Sequence, residues 1–252
     1  MTQVALFLIL SLQGGGVGPG NELDRVLFPA SADKGTIAGD WDGPGAKDLA
    51  AAKECLVMRD KRVKTAQIYI DRLLQAVEEA RFAKTDGSKN ELRAKILALG
   101  KDEVDKARAE LLAALEQEKK RLELLAAAST AAAAVKAKIP KLERKAIAKL
   151  AGEIAQGKRR AIVDTRIEVY RNISRALGDY LTGDLIGSID SMRLAERDAP
   201  EITIVHVYLG SFYYLVRQPE RAMAQWKIAL KLDPDNVELR EAVRGTEVGL
   251  ND

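Results

Sequence analysis

The sequence predicts an all-α protein in which a long antiparallel coiled-coil hairpin precedes a module of shorter helices. Three observations lead there. From Leu49 the apolar residues Leu49, Leu56, Val63, Ile70 and Val77 recur every seven positions, with Ala52, Ala66, Leu73 and Ala80 three residues later. This is the seam of a coiled coil. Neither Pro nor Gly occurs between Ala46 and Lys84, and no Pro occurs from Ala46 until Pro140. Of 252 residues, 47% are apolar, 31% charged and 5% aromatic, enough apolar content to fold but few aromatics for a compact enzyme.

Taken in order, residues 1–20 read as a signal peptide. Val4 to Leu12 (VALFLILSL) has the length of a signal core and about half the length a bilayer-spanning helix needs. The expected address is periplasmic or secreted, in a bacterial envelope; if the run is not a signal, the address is cytoplasmic. Residues 21–45 read as a flexible tether, since nine glycines fall between positions 13 and 46 together with Pro19, Pro29 and Pro44, a composition that is expensive to order. The competing reading packs Leu27, Phe28 and Trp41 onto the helices.

Residues 46–139 are the expected hairpin. Its first helix spans up to about 58 Å at roughly 1.5 Å per residue, interrupted in its seam only by Arg59. TDGSKN, residues 85–90, supplies the turn, with Ser88 or Asn90 to cap the second helix. Leu92, Ile96, Leu99, Val104, Ala107, Leu111, Leu115, Leu122 and Leu125 carry that helix toward Ile139, with Gly100 as a weak point. Charges in DKARAELLAALEQEKKRLELL fall three and four residues apart, where they pair along a helix. The rod could also pair with copies of itself as a homo-oligomer.

Residues 140–168 read as a basic connecting helix beginning near Lys141. Nine cations lie between Lys136 and Arg160 against Glu143 and Glu153. The polyanion-binding candidates are Lys141, Arg144, Lys145, Lys149, Lys158, Arg159 and Arg160, facing anionic lipid or another polyanion. No aromatic residue lies among them to stack on a base, which disfavours nucleic acid. The net charge of +3 is too small to drive such binding by itself.

Residues 203–236 read TIVHVYLGSFYYLVRQPERAMAQWKIALKLDPDN, and Leu209, Gly210, Tyr213, Ala222, Trp226, Ala229 and Pro234 follow a roughly 34-residue helix-turn-helix pattern. Here the chain resembles the tetratricopeptide repeat family, with His206 where the family has Trp. Gly210, Ala222 and Ala229 are small where two helices would cross closely, and Pro234 would close the second helix. One repeat length earlier, in 169–202, Ala176, Gly183, Asp184, Ser188, Ile189, Ala195 and Pro200 fall in compatible positions; Leu177 and Gly178 are an alternative Leu-Gly pair. Asn172, Arg175 and Asp179 depart from the apolar pattern. A helix from Val237 to about Val248 would cap this module, residues 169–252. Two repeats fall short of the number that stack stably alone, so the preceding helix or another subunit is expected to cover the open end.

The resemblance implies protein recognition on the concave face of the first helices. Carried over, that face comprises Tyr170, Ile173, Leu177 and Tyr180, then Ile204, Val207, Ser211 and Tyr214. It is apolar and lacks the Lys, Arg and Asn clamp of family members that hold a terminal carboxylate, so an apolar segment is the expected ligand. The competing reading makes these residues core. The order of signal, coiled coil and repeats is also similar to that of periplasmic proteins associated with the Tol-Pal system.

The expectation is therefore a non-enzymatic scaffold or adaptor of an envelope assembly, with peripheral attachment through residues 136–160 as the alternative. One cysteine, Cys55, and one histidine, His206, leave no cysteine or histidine metal cluster. No cofactor is expected. GEIAQGKR at 152–159 misses the phosphate-loop pattern at Arg159, Asn172-Ile173-Ser174 lies inside a predicted helix, and Cys55 reads as a plain thiol or, in an oxidising compartment, a link between rods.

Overall fold

A computed structural model describes residues 27–28, 41–80, 85–137, 139, 142 and 144–251. Among them it contains eight α-helices and no strand: α1 Ala46–Glu79, α2 Asp86–Ala134, α3 Arg144–Ala155, α4 Lys158–Thr182, α5 Leu185–Asp198, α6 Thr203–Leu215, α7 Pro219–Leu232 and α8 Val237–Asn251. The protein is all-helical, a helical hairpin with repeat-like helices. The expected signal peptide lies outside the described residues, as do Lys138 and Lys141. The chain divides into two compact units: Pro19–Ile68 with Lys106–Asp164, here the hairpin unit, and Tyr69–Asp105 with Thr165–Asp252, the repeat unit.

In the hairpin unit, α1 buries Leu49, Ala52, Cys55, Arg59, Val63 and Ala66, and α2 buries Ala107, Leu111, Ala114, Leu115, Glu118, Leu122, Leu125 and Ala128. Arg59 pairs with Glu118 at 3.0 Å and Arg62 with Glu110 at 2.9 Å, so numbers rise along α1 as they fall along α2. The two helices are antiparallel. Cys55 rather than Leu56 turns fully inward, and its burial removes it as a link between rods. The stretch expected to be a free tether contains a packed anchor: Leu27 and Phe28 are buried, and the Arg59 guanidinium lies 4.6 Å from the Phe28 ring centre. At the mouth of α1, Gly45 has φ +89°, and a Cβ there would come 2.7 Å from Ala128 Cα. Only glycine fits both demands.

The long helices stop where backbone bonds close them. Thr85 Oγ1 accepts from Ser88 N at 3.2 Å and Ser88 Oγ accepts from Thr85 N at 3.1 Å, a reciprocal cap that starts α2 before the expected Ser88 or Asn90. At the far end Lys136, φ +58°, donates its N–H to Ala133 O while Ala137 N donates to Ala132 O. That closure ends α2 at Ala134 instead of Ile139. The connecting segment is two helices rather than one: Gly157, φ +71°, breaks it between α3 and α4, and α4 then continues unbroken past the expected boundary at 168. Ile147 and Leu150 of α3 join Leu49, Leu122, Leu125 and Ala132 in one apolar cluster.

In the repeat unit α4 packs against α2. Ser174 Oγ donates to Ile96 O at 2.9 Å and Arg93 Nε donates to Gly178 O at 3.2 Å. A Cβ on Gly100 would meet Ser174 Oγ at 2.0 Å and its Cβ at 2.4 Å, so the glycine read as a weak point is the contact that admits α4. Gly100→Ala gains about 1 kcal/mol of helix propensity but forces this crossing apart, and a net loss of about 1–3 kcal/mol is expected. Adding Ser174→Gly should restore most of it; urea denaturation of the singles and the double checks this, and an additive double would contradict it.

The shorter helices are closed by local chemistry. Gly183, φ +85°, ends α4, and Asp184 caps α5 by accepting from Gly187 N at 2.9 Å. Between α6 and α7, Arg217, φ +59°, donates its N–H to Tyr214 O while Gln218 N donates to Tyr213 O, and Pro219 opens α7. Asn236 Oδ1 accepts from Leu239 N at 3.0 Å and starts α8.

Candidate functional site

The α6–α7 hairpin is built around one large side chain. Trp226 is fully buried, and its Nε1 donates to Val207 O at 3.2 Å. A Cβ on Gly210 would come 2.4 Å from the indole, which is why this position of α6 carries no side chain. Ala222 and Ala229 are fully buried beside it. His206 is buried too: its Nε2 lies 2.7 Å from Pro200 O and its Nδ1 2.7 Å from Gln225 Oε1, while Gln225 Nε2 donates to Glu196 at 2.9 Å. The histidine ties the α5–α6 turn to α7 and serves packing. Gly178, by contrast, lies against Leu97 of α2, so it makes a different crossing from that of Gly210.

Of the eight residues carried over to the concave face, six are inside the protein. Tyr170, Ile173, Leu177, Ile204, Val207 and Ser211 are each at most 7% exposed, and Ser211 Oγ donates to Val207 O within its own helix. An open apolar hollow is therefore not what these residues form; they are core. The two that keep exposed surface are Tyr180 and Tyr214, in the last turns of α4 and α6. The Tyr180 ring centre stands 5.6 Å from that of Phe212, and Tyr214 stands 5.8 Å from Trp226, so both rest on buried aromatics. Burial pushes the Tyr180 hydroxyl above its ordinary range.

Beside Tyr180, the Asp179 carboxyl is raised, first by burial and then by Asp184 across the Gly183 turn, while Arg93 and Arg175 oppose the shift. A carboxyl raised in the folded state binds its proton more tightly there than in the unfolded chain. Its contribution therefore favours folding below the unfolded value near 3.8 and is lost as pH rises through the raised value. Asp179→Asn is expected to raise the melting temperature at neutral pH and to leave it flatter between neutral and mildly acid pH. An unchanged pH profile in calorimetry would contradict this.

The polyanion candidates separate into three groups. Arg144, Lys145, Lys149, Lys158 and Arg160 are exposed, Lys141 lies outside the described residues, and Arg159 is turned inward. Arg159 Nε and Nη2 donate to Glu153 at 2.9 and 2.5 Å, and its side chain is only 12% exposed. It is withdrawn from the candidate set. Asn172 and Ser174 of the acceptor-like triplet are buried in α4, and GEIAQGKR spans the end of α3 and the Gly157 turn, not a strand and loop.

Sequence reasoning missed the polar cluster of the hairpin unit. Glu118 Oε2 accepts from Arg59 Nη1 at 3.0 Å and Arg121 Nε at 2.9 Å, and Oε1 accepts from Arg121 Nη2 at 2.9 Å. Its only trace in the sequence is the charged residue Arg59 in an apolar seam. Among the described residues no group of three or more His, Cys, Asp or Glu is placed to hold a metal ion, and no helix is long and apolar enough to cross a membrane. No family model, curated protein or solved structure matches the chain.

Proposed function

We propose that the protein is a non-enzymatic scaffold that engages a protein partner through its tetratricopeptide-like repeat unit. The observation that supports this reading is the pair of half-buried tyrosines, Tyr180 and Tyr214, each seated on a buried aromatic at the end of a repeat's first helix. A rigidly seated ring with a free edge offers apolar contact and a hydroxyl at little entropic cost, the chemistry that anchors protein interfaces. The filled core beneath makes the rim, not the hollow, the contact surface. The apolar run at residues 4–12 supports an address in the bacterial cell envelope.

The test is site-specific photo-crosslinking in cells, with the crosslinker placed at Tyr180, at Tyr214 or at the exposed Ile186 of α5. One shared partner is expected from the two tyrosine positions and not from Ile186, and Tyr180→Ala with Tyr214→Ala should abolish its co-purification. Equal capture at all three positions, or an unaffected double variant, would overturn the rim as the docking surface.

A further inference from the structure

We propose that the hairpin unit carries a docking surface for anionic lipid headgroups, formed by the outer face of α3, the first turn of α4 and the tip of α2. It is independent of the partner surface on the repeat unit. On α3, Ile147 and Leu150 point into the apolar cluster, and Lys145 and Lys149, one turn apart on the opposite side, are exposed. Lys158 and Arg160 continue the exposed charge past the Gly157 turn. The one acidic residue of α3, Glu153, is already bound by Arg159. What the segment from Arg144 to Arg160 presents outward is therefore positive charge with its own carboxylate neutralised.

The tip of α2 adds the feature that selects lipid. Arg144 Nη2 donates to Ser129 O at 3.3 Å, which holds the start of α3 against the last turns of α2. There Val135 is 58% exposed, followed by the exposed Lys136 in its left-handed turn. A branched aliphatic side chain held out in water next to the Lys136 cation loses free energy there and regains it on entering a headgroup layer. A phosphate backbone would gain nothing from it, and the patch offers no aromatic ring to a base. Cations near an anionic leaflet contribute additively and are screened by salt.

The experiment is co-sedimentation of the full chain with vesicles of phosphatidylcholine alone and of phosphatidylcholine mixed with phosphatidylglycerol, at low and high salt. Binding is expected only to the mixed vesicles and only at low salt. Lys145→Glu with Lys149→Glu should weaken it by at least about 25-fold, since each Lys near the leaflet contributes roughly fivefold. Lys231→Glu with Arg244→Glu, the same change in net charge placed on the repeat unit, should leave it intact; circular dichroism establishes that both variants are folded. Val135→Ser should lower vesicle binding severalfold. Absence of binding to mixed vesicles, or equal loss in the two charge variants, overturns the surface. Retention on duplex DNA or dextran sulfate as strong as on vesicles, with no effect of Val135→Ser, overturns the lipid assignment in favour of a general polyanion patch.

Discussion

Glu118→Ala is expected to destabilise the protein by about 3–5 kcal/mol, because it removes the carboxylate that holds two buried guanidinium groups. Glu118 is fully buried, Arg121 is 1% exposed and Arg59 5%, and the alanine variant loses all three hydrogen bonds that Glu118 accepts. Arg59 keeps Asp60, whose side chain is 47% exposed and therefore compensates weakly. Against a total stability of about 5–15 kcal/mol, such a loss is close to the margin. Replacing the whole cluster is a different matter. Arg59→Met, Glu118→Leu and Arg121→Met together remove three desolvated charges, and the triple variant is expected to match or exceed the parent stability. Urea denaturation of both variants checks the pair of expectations; a single variant that loses less than about 1 kcal/mol would mean the cluster is effectively hydrated.

Trp226→Ala is the second large effect, about 3–5 kcal/mol for a fully buried aromatic with little room to collapse. The indole fills the space over Gly210, donates to Val207 O and supports the Tyr214 ring, so its loss opens the α6–α7 crossing and loosens one of the two rim tyrosines. Gly210→Ala alone is expected to lose about 1–3 kcal/mol, because its Cβ would collide with the indole. In the Trp226→Ala background the same Cβ enters vacated space, and Gly210→Ala should become neutral or better. Thermal denaturation of the two singles and the double checks this; additive losses would mean that Gly210 and Trp226 do not share the space described here.

Several features were legible in the sequence because their cause is local. The seven-residue recurrence from Leu49 to Val77 located α1 and its buried stripe, since helical geometry alone brings those side chains to one face. Gly183 and Asp184 stood in the sequence only as positions compatible with a repeat; their left-handed backbone and capping hydrogen bond, which make the α4–α5 turn, are seen in the structure. Other features depend on pairs distant in the chain. The partner that makes Arg59 tolerable lies 59 residues away, and Arg159 meets Glu153 only because the chain turns at Gly157. Reading 140–168 as one connecting helix hides that turn. Lys136 and Arg217 adopt positive φ without being glycine, so composition gave no warning of either helix end. The carried-over concave positions failed as an open surface for a related reason: a repeat pattern identifies which side chains leave the first helices together, but not what the rest of the chain lays upon them.

The charged cluster also decides which pairing of α1 with α2 is possible. A seam rich in alanine discriminates poorly among offsets of one heptad, because each step matches apolar with apolar. Shifted by seven residues in either direction, Arg59 would face Leu111 or Leu125, both buried, and a guanidinium would be left in hydrocarbon without its carboxylate. The cluster thus separates the observed register from both of its one-heptad neighbours by an energetic penalty that the alanine-rich seam alone does not supply.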